Sequence, residues 1–142
     1  MRWLPSTVAN APPESTYYLT AADLVRCHAV ALEIAESTAR HHLLHRSGLL
    51  AALDRPRWYA HYQNADLIDQ AAVLGEGLVA SHAWVDGNKR TTWVAVRTFL
   101  DLNGLNWRYP PSVAESVVAM TRLTTRKDSA ADFGRRLRRY IA

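Results

Sequence analysis

The stretch NADLIDQAAVLGEGLVASHAWVDGNKRTTWVAVRTFLDLNG, residues 64–104, holds two helix-like runs separated by a short polar junction. In the first run Leu67, Ala71, Leu74, Leu78 and Val79 recur at helical spacing, with Asn64 placed to cap it. One more turn on that face reaches His82, at the helix end and pointing the way the core points. In the second run Trp93, Val94, Ala95, Val96, Phe99, Leu100 and Leu102 leave little polar face, which predicts a helix in the centre of a bundle. Asn103-Gly104 stops it.

Working outward, the rest of the chain is also helical. Thr20-Ala-Ala-Asp23 suits an N-cap with an acid in the first turn, and Leu24, Val25, His28, Ala31, Leu32 and Ala35 follow at helical spacing, giving a first helix expected to end near the histidines at 41–45. Ser47-Gly48 starts a short helix that Pro56 is expected to close. Residues 56–63, PRWYAHYQ, read as a loop or small hairpin. Pro110-Pro111 opens a helix with Val113, Val117, Val118 and Met120. Asp128 or Ser129 caps the last, with Phe133, Leu137, Tyr140 and Ile141 inward. No segment sustains period-2 alternation, so the fold class is all-α. Residues 1–16 carry three of the six prolines and read as a flexible leader, and 17–142 as one domain.

Seventeen Lys and Arg against thirteen Asp and Glu leave a net charge of +4, which points to an anionic partner without choosing one. The single cysteine, Cys27, excludes an intramolecular disulfide. With no long apolar core near the start and no run long enough to span a bilayer, the expected compartment is the cytoplasm, with no membrane partner.

The junction carries the chemistry. A helix N-terminus exposes backbone N–H groups and a positive dipole end. Gly87 lets the backbone turn or approach a ligand. Lys89 and Arg90 add cations at an end where cations are unfavourable, a conflict that a polyphosphate resolves. Asp86 is the lone acid, suited to Mg²⁺ beside phosphates, and His82 is the one group able to take a proton near neutral pH. A base, a metal ligand and a phosphate cradle are the parts of phosphoryl or nucleotidyl transfer to a hydroxyl.

His82-Ala-Trp-Val-Asp-Gly-Asn-Lys-Arg90 resembles the Fic/Doc signature, H-P-F-x-D/N-G/A-N-K/G-R, with Ala83 for its proline and Trp84 for its phenylalanine. Lys89, with GNKRT leading into an apolar helix and LNG at its end, is similar to the Doc branch, and Tyr18-Leu-Thr20, RSGLLAALDRP at 46–56 and the 64–82 helix extend the resemblance over about 17–142. It implies a helical bundle whose central helix carries the motif, with a short flap, a loop or hairpin, near Arg55–Asn64 that docks a peptide by backbone pairing. It further implies the toxin of a toxin–antitoxin pair, neutralised by a small Phd-like antitoxin. Such a toxin uses ATP and Mg²⁺ to phosphorylate a threonine of elongation factor Tu and so inhibits translation. By the same resemblance His82 is the general base, Asp86 holds Mg²⁺, and Gly87, Asn88, Lys89 and Arg90 bind the phosphates. Fic AMP transferases have a small glycine where Lys89 stands, so the lysine favours γ-phosphate transfer; AMP transfer to a protein hydroxyl is the alternative. A non-catalytic basic helical module, regulatory or DNA-binding, is the rival from another class, but no helix-turn-helix register supports nucleic acid.

Other features read more plainly. His41, His42 and His45 lack a neighbouring acid or an HExxH pattern and read as a solvated helix end. Cys27 reads as a small core residue rather than a nucleophile. Gly75-x-Gly77 lies inside a helix and reads as a close-packing site, not a dinucleotide fingerprint. Arg135, Arg136, Arg138 and Arg139 read equally as a solvated face or a dock for an acidic antitoxin segment.

Overall fold

The computed structural model describes residues 15–141. Residues 1–14 of the expected leader, and Ala142, lie outside the described residues. Seven helices appear among the described residues: α1 Ala21–Leu32, α2 Glu36–His41, α3 Arg46–Gln63, α4 Leu67–Ser81, α5 Asn88–Leu102, α6 Val113–Thr124 and α7 Ala130–Tyr140. The described residues include two isolated β-bridges, Leu43 with Trp84 and Trp107 with Ile141. The all-α reading therefore stands.

The helix starts follow local chemistry. Thr20, Ser112 and Ser129 each form a reciprocal capping box, with Asp23, Glu115 and Asp132. Asp66, rather than Asn64, caps α4; Asn64 instead ends α3 in the left-handed conformation. The first helix stops at Leu32, because Glu33 turns left-handed, and α2 follows as a separate short helix.

The expectation for residues 56–63 fails outright. Residues 56–63 are neither loop nor hairpin: α3 runs straight through Pro56 to Gln63. A helical proline loses one backbone hydrogen bond and crowds the preceding turn, at about 3 kcal/mol. Leu49, Ala52, Leu53, Pro56 and Ala60 are all buried, and α3 packs along α4, so tertiary burial offsets that cost. The expected flap near Arg55–Asn64 is thus helix. On α6, Met120 is buried together with Ala119 and Leu123, while Val113, Val117 and Val118 are exposed.

The deepest helix is α4, which packs against α3, α5, α6 and α7. Leu67, Ala71, Leu74 and Leu78 are buried, each large one contributing about 2 kcal/mol. Gly75 and Gly77 allow that crowding: a Cβ on Gly75 would lie 2.9 Å from the Phe133 ring, and one on Gly77 would lie 2.9 Å from Arg55 Cδ. The close-packing reading is correct. Helix α5 lies against α1, α4 and α6 with Thr91, Thr92, Ala95, Val96, Phe99 and Leu100 buried, while Leu102 is exposed. No helix of the described residues is long and apolar enough to cross a membrane.

Candidate active site

The site forms where α4 ends and α5 begins. His82 terminates α4 with φ 44°, in the left-handed region. Its side chain is exposed rather than core-directed, and the imidazole has no hydrogen-bond partner among the described residues. The left-handed turn swings it off the apolar face that helical periodicity would continue. Ala83 and Trp84 then plunge inward.

The segment His42–His45 fastens this loop. Leu44 and His45 N–H donate to the Ala83 carbonyl at 2.7 and 3.2 Å, and Val85 N–H donates to the His42 carbonyl at 2.8 Å. This pairing braces the loop where the family motif carries proline. Trp84 stacks on His28, centroids 4.1 Å apart and planes 9° from parallel. His28 is fully buried; its Nδ1 lies 2.7 Å from Thr91 Oγ1 and its Nε2 2.9 Å from His42 Nδ1. One imidazole thus joins α1, the bracing segment, and both sides of the motif. Burial and the nearby His42 lower its pKa from 6.5 to about 4, so it is neutral in the fold. The sequence placed His28 on the core face; its pairing with His42, a residue assigned to a solvated end, could not be read from spacing. His41 and His45 are exposed as expected.

Asn88 is a clamp. Its Oδ1 accepts from Trp84 N–H at 3.1 Å and its Nδ2 donates to the Trp84 carbonyl at 2.9 Å, so its amide is engaged with the loop rather than turned to a phosphate. Gly87 has φ 71°, and a Cβ there would lie 2.7 Å from Leu32 Cδ2. The backbone turns tightly over Leu32, which adds a steric reason for glycine to its torsional one. Gly87→Ala is expected to lower stability by about 1–3 kcal/mol, from the left-handed penalty plus the clash; a chemical-denaturation midpoint unchanged from the parent would refute this.

The features expected to bind an anion are open. Helix α5 has no acid in its first turn and no side-chain cap. Lys89 and Arg90 are exposed and have no ion-pair partner among the described residues. Asp86 is exposed and accepts from Gly87 N–H through Oδ1 at 2.8 Å, leaving its other oxygen unengaged. Among the described residues no cluster of three or more His, Cys, Asp or Glu gathers for a metal. That donor set fits an ion held by one carboxylate together with phosphates and water, as Mg²⁺ commonly is.

Two cavities flank the motif. A groove of about 380 Å³ is lined by Lys89 and Arg90 beside Trp93, Val94, Val117 and Met120. A polar cleft of about 600 Å³ takes His82. The basic tail, in contrast, is largely compensated within the chain: Arg135 pairs with Asp132, Arg136 with Asp128, and Arg138 with Asp66 and Asp69. Cys27 is buried, and burial pushes its thiol up, in keeping with a core role.

The family model described as "Fic/DOC family" matches residues 18–100. A protein named Toxin Doc, from Mycolicibacterium smegmatis, is 42% identical over 82 residues, covering 56% of this chain and 63% of that protein. The matched region includes α1 to α4, the bracing segment, the whole motif and most of α5. The chain belongs to the Fic/Doc family.

Proposed function

We propose that the chain is a Doc-type toxin of a toxin–antitoxin pair, a cytoplasmic enzyme that transfers the γ-phosphate of ATP to a hydroxyl of a translation factor. The observation that carries this is the α5 N-terminus: an uncapped helix end with two unpaired cations, Lys89 and Arg90, and no acid in its first turn. Such an end gains stability from a polyanion. The groove beside it adds an apolar wall next to the cations, the combination a nucleotide's ring and phosphates need. Mg²⁺, held through Asp86, would neutralise phosphate charge. His82, exposed and unpaired, takes the proton from the acceptor hydroxyl, and Gly87 keeps the backbone low beside the phosphates. Asn88 serves by holding the loop in shape. The name of the similar Mycolicibacterium protein, Toxin Doc, supports the toxin role and with it an antitoxin partner; the motif's resemblance to the Doc branch makes a Phd-like antitoxin the partner in this reading.

Lys89 decides the reaction type in this reading. Its bulk and charge at the helix N-terminus favour the γ-phosphate at the reaction centre over the α-phosphate. The test is the intact mass of elongation factor Tu after incubation with the protein, ATP and Mg²⁺. The expected gain is one phosphoryl group. A gain of one AMP would overturn the role of Lys89, and no gain would rule out this target. Lys89→Gly is expected to cut phosphoryl transfer at least tenfold, the loss of about 1.4 kcal/mol of transition-state stabilisation; an unchanged rate would sink the account of nucleotide orientation.

A further inference from the structure

The cleft that takes His82 lies between α3, α4 and the turn joining α6 to α7, and its walls carry three anomalies. First, non-glycine residues with left-handed backbones number four among the described residues, and two of them, His82 at φ 44° and Arg126 at φ 61°, line this one cleft. A helix normally ends on glycine or asparagine at such a position, and an arginine there costs on the order of 1 kcal/mol. Second, Thr124 Oγ1 is a buried side-chain oxygen with no hydrogen-bond partner, the one such atom among the described residues. An orphaned buried hydroxyl costs about 1–3 kcal/mol unless something outside the chain meets it. Third, Arg126 has no ion-pair partner among the described residues, whereas Arg55 pairs with Glu76, and Arg122 and Arg136 pair with Asp128.

The surroundings hold Arg126 in place. Lys127 and Asp128 N–H both donate to the Arg122 carbonyl, at 2.9 and 3.0 Å. Asp128, almost fully buried, accepts from Arg122 Nε at 2.9 Å and Arg136 Nε at 2.6 Å. Across the cleft Arg55 is fixed to the Val73 carbonyl at 3.0 Å and to Glu76 at 2.8 Å, and Glu76 also accepts from Ala130 N–H at 3.0 Å. The cleft therefore carries one uncompensated cation and one free imidazole, with the unmet Thr124 hydroxyl buried in its wall.

We infer that this cleft is the acceptor subsite: it receives the hydroxyl-bearing segment of the protein substrate, with the reacting hydroxyl at His82 and a carboxylate of the same segment at Arg126. The inference rests on the reading of His82 as the base. A nucleoside triphosphate, with several negative charges, suits Lys89, Arg90 and the helix end; a cleft with a single free cation and mixed donors and acceptors suits a polypeptide. The cavities beside His82 and beside Lys89 share no lining residue, as donor and acceptor approaching from different sides require. In the step itself, His82 accepts the acceptor's O–H proton, the oxygen bonds to the γ-phosphorus, the bond to the β,γ-bridging oxygen breaks, and ADP leaves.

The experiment follows transfer from γ-labelled and α-labelled ATP in parallel, using elongation factor Tu and a soluble bacterial lysate as acceptors, over a series of acceptor concentrations. The variants are Arg126→Gly, Arg126→Lys and His82→Ala. Glycine suits the left-handed backbone, so the first removes the cation without disturbing the turn. Expected is at least a tenfold rise in the acceptor concentration for half-maximal rate in Arg126→Gly, substantial recovery in Arg126→Lys, and an unchanged KM for ATP. An unchanged acceptor dependence overturns the subsite while leaving His82 standing. A shift in KM for ATP instead makes the cleft a nucleotide site and overturns it too. Labelling of neither acceptor, or labelling that survives in His82→Ala, removes the base on which the subsite rests.

Discussion

His82→Ala is expected to abolish transfer while leaving nucleotide binding and folding nearly intact, the largest expected effect on activity. The imidazole is exposed, makes no hydrogen bond within the described residues and packs into no core, so its removal leaves no buried cavity and orphans no partner. What is lost is general-base assistance, worth about 10²- to 10⁴-fold. The proposed phosphate-binding features lie elsewhere, at Lys89, Arg90 and the α5 N-terminus, and the loop is held by Asn88 and the 42–45 segment, so ATP affinity should stay within about twofold of the parent. His82→Gly sharpens the test. Because residue 82 is left-handed, glycine relieves backbone strain there, and this variant should melt at or above the parent's temperature while remaining inactive. Single-turnover transfer, ATP titration calorimetry and thermal melts on the same preparations separate these effects. Full activity in either variant would remove His82 from the mechanism.

What the sequence made legible was local. Capping boxes, the two long runs on either side of the motif, and the motif itself all depend on residues a few positions apart, where helical geometry dictates what meets what. Even so, Asn64 shows the limit: it caps a helix end, not the helix start assigned to it, because Asp66 two residues later offers the better-placed acceptor. Pro56 was illegible for a different reason. Its cost is local and its compensation, burial along α4, comes from residues about twenty positions away. The same holds for Arg136 and Arg138, which look like a bare basic tail until Asp128, Asp66 and Asp69 are brought beside them. Among the site residues, Gly87, Lys89 and Arg90 lie where a helix N-terminus should put them. His82 left the predicted face because a single left-handed residue breaks helical phase, which no periodicity can foresee. The bracing of the loop by 42–45 joins segments some forty residues apart, and only the fold reveals it.

The same bracing sets the largest expected dependence of stability on pH, and it centres on His28. In the fold this imidazole is buried between Thr91 and His42 and stacked on Trp84, and it is held neutral with a pKa of about 4 against 6.5 when exposed. Burial is the leading cause; the electrostatic influence of His42 and of Arg90 acts in the same direction, and Asp86 opposes them. The unfolded chain therefore binds a proton at position 28 that the folded chain refuses. The stabilisation is fully present above about pH 6.5 and is lost as pH falls from there through about 4, an interval corresponding to on the order of 3 kcal/mol. Replacing the histidine with glutamine, which carries no titrating proton, should flatten the stability profile across that window, while costing about 2–4 kcal/mol at pH 7.5 through the lost stack and the broken contacts to Thr91 and His42. Urea midpoints of the parent and His28→Gln between pH 4 and 7.5 check both statements. Parallel profiles would mean that the imidazole charges freely inside the fold, which a ring with both nitrogens engaged and no exposed surface cannot do without releasing Trp84 and Thr91, and so loosening the motif from both ends.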